Sequence, residues 1–170
     1  MYLLKRALLT LLAAVLAVPA LAAEVSYTVQ LSGADNVPDA LKTPATGELQ
    51  LVVSANARSV QYVLKVQDLD NVAAGDIHLG PPGANGPLVV KLFPVGEARP
   101  KKGPFSGVLA QGTFDGSDLI GPMAGATLEE LLEQFRDGNA YCNVHTNDGM
   151  DPPNSGPGDY RLGEIRGQIK

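Results

Sequence analysis

The chain has 170 residues, of which 13 are Lys or Arg and 18 are Asp or Glu, so its formal net charge is −5. This acidic balance makes nucleic acid a poor partner, because proteins bind phosphate backbones through clusters of Lys and Arg. A chain of this length buries enough surface to fold without disulfides. Its single cysteine, Cys142, has no partner for a disulfide within the chain.

The N-terminal segment MYLLKRALLTLLAAVLAVPALAA has the pattern of a secretory signal peptide. Lys5 and Arg6 precede an apolar run over 7–18 that is too short to span a bilayer, and an Ala-Leu-Ala cleavage pattern closes the segment. We expect a signal peptide over 1–22, followed by one domain over 23–170 that is not inserted in a membrane. Because no cysteine stands at the cleavage point to carry a lipid, we predict a periplasmic or secreted protein.

Beyond the signal peptide, apolar and polar residues alternate in short segments bounded by turn residues. In EVSYTVQLS, which covers 24–32, Val25, Tyr27, Val29 and Leu31 share one face, as in a half-buried strand. Similar segments predict seven further strands, at 47–54, 59–66, 76–79, 88–93, 107–114, 140–146 and 163–169. This pattern indicates an all-β fold, an antiparallel β-sandwich or barrel of Greek-key type.

One segment, ATLEELLEQFRDG, has helical rather than strand periodicity. Its apolar residues recur at the spacing of one helix face: Leu128, Leu131, Leu132 and Phe135. Thr127 and Glu130 form a capping box at its start, and Gly138 stands where a left-handed residue ends a helix. The segment therefore predicts a single short α-helix over 127–137.

Three motifs follow one another along the chain: DIHLGPPGANGPLVVKLF at 76–93, TLEELLEQFRDGNAYCNVHT at 127–146, and GEIRGQI at 163–169. Their order resembles that of the CHRD domain, the module repeated in the animal protein chordin and found singly in many exported bacterial proteins. The resemblance extends from residue 24 to the C-terminus. It implies an extracytoplasmic β-rich module, associated in chordin with the binding of growth factors, and no established enzymatic activity in bacteria.

The first motif departs from the family pattern, which often has a His-x-His pair where this chain has Asp76 and His78. Side chains two residues apart in a strand share a face, so Asp76 and His78 project together, as do Asn143 and His145. If the two strands are neighbours, a carboxylate and two imidazoles converge in a set that suits copper or zinc. The alternative is that each histidine is a hydrogen-bonded strand residue and no metal cofactor is bound.

Cys142 and Met150 suggest a second metal hypothesis. The spacing Cys142-x-x-His145-x-x-x-x-Met150 resembles the ligand loop of blue-copper proteins, and His78 would supply the fourth ligand. In a continuous strand, however, Cys142 and His145 project to opposite faces. Cys142 is then an apolar core residue.

Two long loops, at 80–87 and 147–160, are rich in turn residues and are the predicted recognition surfaces. Asn85 lies in the first and Tyr160 ends the second, while Arg166 is either an anion or partner contact, one half of a cross-strand ion pair, or a tether for the first loop. No motif for a catalytic nucleophile or a phosphate-binding loop is present in the sequence, so no catalytic residue is assigned. We predict a non-enzymatic module that binds an unidentified protein or envelope component, with a copper- or zinc-binding protein as the alternative.

Overall fold

The computed structural model describes residues 24–170, and the predicted signal peptide lies outside the described residues. The eight strands are β1 (Val25–Ser32), β2 (Thr46–Val53), β3 (Ser59–Asp70), β4 (Val72–Leu79), β5 (Leu88–Phe93), β6 (Pro104–Asp115), β7 (Ala140–Thr146) and β8 (Ile165–Ile169). The helix α1 (Leu128–Arg136) and three single 3-10 turns, Gly33–Asp35, Gly116–Asp118 and Gly121–Met123, complete the described elements. All eight predicted strands are present, and β3, β4 and β6 are longer than predicted.

The strands form one sheet in the order β5-β4-β7-β8-β1-β2-β3-β6, and every pairing in it is antiparallel. The two terminal strands of this order, β5 and β6, lie in contact with each other. Near this contact, the Tyr62 hydroxyl of β3 donates a hydrogen bond of 3.0 Å to the Leu92 carbonyl of β5. The sheet is therefore curved into a nearly closed barrel, which agrees with the predicted class of an antiparallel sandwich or barrel.

The barrel interior holds the apolar face of each strand. Leu49, Leu51 and Val53 of β2 are buried and alternate with partly exposed residues, which is the pattern of a sheet packed on one side. Leu64 of β3 meets Gly75 of β4 across the interior, and a Cβ atom added at Gly75 would lie 2.9 Å from Leu64 Cδ2. Glycine at 75 therefore lets two walls of the barrel approach closely, directly beside Asp76.

The helix α1 forms where the capping box predicted it. Thr127 Oγ1 accepts from the Glu130 N–H at 3.3 Å, and Glu130 Oε2 accepts from the Thr127 N–H at 2.7 Å. The apolar stripe of the helix is buried, and Phe135 packs edge-on against Tyr27 with ring centroids 5.6 Å apart. Gly138 ends the segment with a φ of +67°, the left-handed conformation that favours glycine.

Within residues 24–170, no helix has the length and apolar character needed to cross a membrane.

Candidate metal centre

Strands β4 and β7 are neighbours, which is the condition that the sequence analysis set for a carboxylate and two imidazoles to meet. In their register Asp76 lies opposite Asn143 and Ala74 lies opposite His145. Asp76, His78 and His145 therefore project from adjacent positions of one face. Each of the three offers one ligand atom, and these atoms all lie within 4.8 Å of one another. We refer to these residues as the Asp–His–His group.

Both imidazoles are held by backbone carbonyls through the same ring atom. Nδ1 of His78 lies 3.0 Å from the Gly86 carbonyl oxygen, and Nδ1 of His145 lies 2.9 Å from the Arg161 carbonyl oxygen. A carbonyl only accepts hydrogen bonds, so each Nδ1 carries the proton and each Nε2 presents a lone pair. Both Nε2 atoms are buried without a hydrogen-bond partner. Metal-binding histidines have this arrangement, because the second nitrogen is oriented by a carbonyl or carboxylate.

The Asp76 side chain is 9% exposed, and its Oδ2 lies 3.7 Å from Nε2 of His145. That distance is within ion-pair reach but too long for a hydrogen bond. Burial raises the pKa of Asp76 to about 7, and nearby Lys91 opposes this rise only partly. Burial also lowers the pKa of His78 and of His145. All three side chains are therefore neutral only between the lowered pKa values of the two histidines and about pH 7, because burial outweighs the attraction that an ion pair would provide.

Tyr141 holds the ring of His78 in place. The two rings stack with centroids 5.2 Å apart and an interplanar angle of 14°. The Tyr141 hydroxyl accepts from the Gly86 N–H at 3.0 Å, so the residue whose carbonyl orients His78 is bound to Tyr141 as well. The guanidinium of Arg166 lies over the Tyr141 ring, 3.6 Å from its centroid. These contacts fix the orientation of His78 from two directions.

Arg166 is buried, with 2% of its surface exposed, and it binds the 80–87 loop. Nη1 donates to Asn85 Oδ1 at 3.0 Å, and Nη2 donates to the carbonyls of Ala84 at 2.9 Å and Pro81 at 3.3 Å. The structure thus has the tether that was one of the alternatives predicted for Arg166. The tether holds the loop that orients His78.

An open depression of about 370 Å³ lies beside the Asp–His–His group. It is lined by that group, by small apolar residues of β4, and by Asn147 and Arg161 from the β7–β8 connection (residues 147–164). The group supplies three ligand atoms, and the depression leaves space in front of them. This is the layout of a site with an open coordination position rather than a closed structural site.

Cys142 is not part of the Asp–His–His group. β7 is continuous from Ala140 to Thr146, and the Cys142 side chain is fully buried in the barrel core, where burial raises the pKa of its thiol. Met150 lies in the β7–β8 connection and is 66% exposed. The structure therefore does not form the blue-copper arrangement, since strand alternation sends Cys142 and His145 to opposite faces. Cys142 has the core position that was the alternative.

A buried carboxylate that sequence reasoning missed fixes the β7–β8 connection. Glu164 Oε2 accepts from the Thr146 hydroxyl at 2.7 Å and from the Gly158 N–H at 2.8 Å, and Oε1 accepts from the Thr43 hydroxyl. Although Glu164 stands only two residues before Arg166, no ion pair joins them among the described residues. Glu164 instead anchors the segment whose Arg161 carbonyl orients His145. Its place in a Gly-Glu-Ile motif did not indicate this role.

Tyr160 lies apart from the Asp–His–His group. It lines a second depression of about 300 Å³, together with apolar residues that include Leu41 and the exposed Leu162. Its backbone N–H donates to the Thr146 hydroxyl at 2.9 Å. A partner contact at Tyr160 stays a prediction.

A family model described as the CHRD domain matches residues 27–153. The chain belongs to the CHRD family. The match runs from within β1 to beyond β7 and therefore includes the whole Asp–His–His group, while the third motif, at 163–169, lies beyond it. CHRD membership confirms the resemblance drawn from the motifs and indicates a β-fold binding module. Neither a search of curated proteins nor a search of solved structures found a match.

Proposed function

We propose that this CHRD domain is a non-enzymatic module that binds one transition-metal ion, copper or zinc, at Asp76, His78 and His145. The observation that carries the proposal is the pair of buried Nε2 atoms, which have no hydrogen-bond partner and lie beside one carboxylate. A buried polar atom without a partner costs about 1–3 kcal/mol. A metal ion bound by both nitrogens would remove that cost at each of them.

The donor atoms favour a metal ion of intermediate hardness, such as copper or zinc, over the hard ions calcium and magnesium. Imidazole nitrogens suit zinc and copper, whereas calcium and magnesium are bound by oxygen atoms alone. Ligand atoms that lie about 2.1 Å from a tetrahedral ion are roughly 3.4 Å apart. The distance of 3.7 Å between His145 Nε2 and Asp76 Oδ2 is already close to that value. Small side-chain rotations would complete the site.

The second depression favours another candidate function for the same domain. Its apolar lining and the exposed Leu162 offer a surface to the protein or envelope component predicted from the long loops. The two functions use different surfaces, so metal binding and partner binding can be measured separately.

Isothermal titration of the purified protein with zinc and with copper tests the metal proposal. We expect one ion per chain, and a loss of affinity of about 100-fold or more in His78→Ala, His145→Ala or Asp76→Asn, since each variant removes a ligand. Asp39→Asn is the matched control, because it makes the same chemical change at an exposed carboxylate. Affinities of the two histidine variants equal to that of the unmodified protein would overturn the proposal.

A further inference from the structure

The Asp–His–His group lies among cationic side chains, although the chain as a whole is acidic. Lys91 of β5 is the register partner of Asp76, so the two side chains share a face. The guanidinium of Arg166 lies over the ring of Tyr141, and that ring stacks on His78. Arg161 lines the depression in front of the group.

These cations leave a bound metal ion with an excess of positive charge. A divalent ion and the carboxylate of Asp76 together carry a charge of about +1, because the imidazoles bind as neutral ligands. Arg166 adds to this charge, since the atoms that accept its hydrogen bonds belong to neutral groups of Asn85, Pro81, Ala84 and Gln168. A buried excess of charge is costly unless a counter-charge is close.

Arg161 has donor capacity that the described residues do not use. Its carbonyl orients His145, while in its side chain only Nη2 takes part in a hydrogen bond, donating to the Met150 carbonyl at 3.2 Å. Asp151 Oδ1 lies 3.7 Å from Nη2, but the Asp151 side chain is 88% exposed, so water screens this pair. Nη1 and Nε donate to no partner among the described residues and remain available to a ligand in the depression.

We propose that a small oxyanion, of the carboxylate or carbonate type, binds together with the metal ion, occupying its open position and accepting hydrogen bonds from Arg161. This inference rests on the proposed metal site, whose remaining coordination position the anion would fill. The depression of about 370 Å³ has room for such an anion with several waters, since one water takes up about 30 Å³. A planar guanidinium matches the two oxygens of an oxyanion. Because the anion neutralises the excess charge, each ligand strengthens the binding of the other.

The test is the affinity of the protein for Co²⁺, measured by visible absorption with and without acetate or bicarbonate at constant ionic strength set by perchlorate. We expect either anion to raise the Co²⁺ affinity about tenfold and to change the Co²⁺ spectrum, as one charge-assisted hydrogen bond predicts. Arg161→Gln should abolish the increase. Arg58→Gln, which removes an arginine from the β2–β3 turn, should retain it in full.

The outcomes separate the inference from the metal proposal. If Co²⁺ binds through the histidines but neither anion raises its affinity, the anion proposal is overturned and the metal site stands. An increase that is equal in Arg161→Gln and in Arg58→Gln would also overturn it, because the anion would then not contact Arg161. Absence of any Co²⁺ spectrum before anion is added would defeat both proposals.

Discussion

At the scale of single residues, the chemistry of the candidate site depends on which nitrogen of each histidine is free. Sequence alone identified Asp76, His78 and His145 and placed them correctly on their strand faces. It did not identify the carbonyls of Gly86 and Arg161 that hold both Nδ1 atoms. Those carbonyls belong to loops, and the backbone conformation of a loop follows no periodic pattern in the sequence.

The raised pKa of Asp76 predicts how metal affinity changes with pH. Below its pKa of about 7, Asp76 binds a proton that a metal ion must displace, so affinity should fall by about tenfold per pH unit. The lowered pKa values of the two histidines keep them neutral over the upper part of this range. Titrations in two buffers of different ionisation enthalpy should show about one proton released per ion near pH 6. An affinity that is constant between about pH 5 and pH 7 would contradict the assignment of Asp76 as a ligand.

The same carboxyl group should make the metal-free protein less stable at high pH. Because the folded-state pKa of Asp76 lies above its unfolded value, the folded state holds a proton that the unfolded state has lost, and stability falls as pH rises from 3.8 to about 7. Asp76→Asn removes this loss of stability, because the amide does not ionise. We expect the variant to unfold with a free energy higher by about 2–4 kcal/mol at pH 8, and with the smallest difference near pH 4.

Denaturant unfolding of the metal-free protein at several pH values measures this effect, with Asp39→Asn as the control that should match the unmodified protein. Asp76→Asn is thus expected to stabilise the fold while it removes the metal site. A variant less stable than the unmodified protein at pH 8 would show that the ionised carboxylate is favourably bound in the folded state.

At the scale of elements, the site depends on the pairing of β4 with β7. The period-two pattern predicted both strands, but not that strands separated by 60 residues of chain between Leu79 and Ala140 would pair, because strand order depends on the assembled barrel. The same limit applies to the 80–87 loop. The sequence left open what Arg166 contacts, and only the assembled sheet shows that Arg166 binds this loop. Recognition of a partner by the loop stays a prediction.

Removal of the Arg166 tether should loosen the 80–87 loop and weaken the metal site indirectly. Arg166→Ala leaves carbonyls of the loop without their donor, so we expect a loss of about 2–4 kcal/mol in the free energy of unfolding. Metal affinity should fall by about tenfold, since Gly86 would orient His78 less well. Hydrogen exchange should become faster within 80–87.

Arg136→Ala is the matched control for this prediction. Arg136 pairs with Glu129 on the surface of α1, where both side chains are more than half exposed, so its loss should change the stability little. Equal effects of the two substitutions on stability and on metal affinity would contradict the role of Arg166 as a tether.

At the scale of the whole molecule, the nearly closed barrel provides a rigid wall on which the site is built. The all-β class, the strand count and the single helix were predictable because apolar alternation and capping residues are local features. The choice between a sandwich and a barrel was left open, since it depends on contacts such as Tyr62 with Leu92, which lie 30 residues apart. The buried Glu164 was unpredictable for the same reason, because its partners come from three separate segments.

Metal binding should stabilise the whole barrel, because the ion binds only the folded arrangement of β4 and β7. At a free zinc concentration of about 100 times the dissociation constant, the free energy of unfolding should rise by about 2.7 kcal/mol. Calorimetry with and without zinc measures this gain, which a chelator should reverse. Asp76→Asn should show no comparable gain. A melting temperature indifferent to both zinc and chelator would favour the hypothesis of a module without a metal.

The most direct test of the metal site is pulsed electron paramagnetic resonance of the Cu²⁺-loaded protein, which counts the imidazoles bound to copper. With both Nε2 atoms as ligands, we predict two imidazoles in the unmodified protein and one in either His78→Ala or His145→Ala. A spectrum without imidazole coupling, or a count that neither substitution changes, would contradict the assignment of the Asp–His–His group as a metal centre.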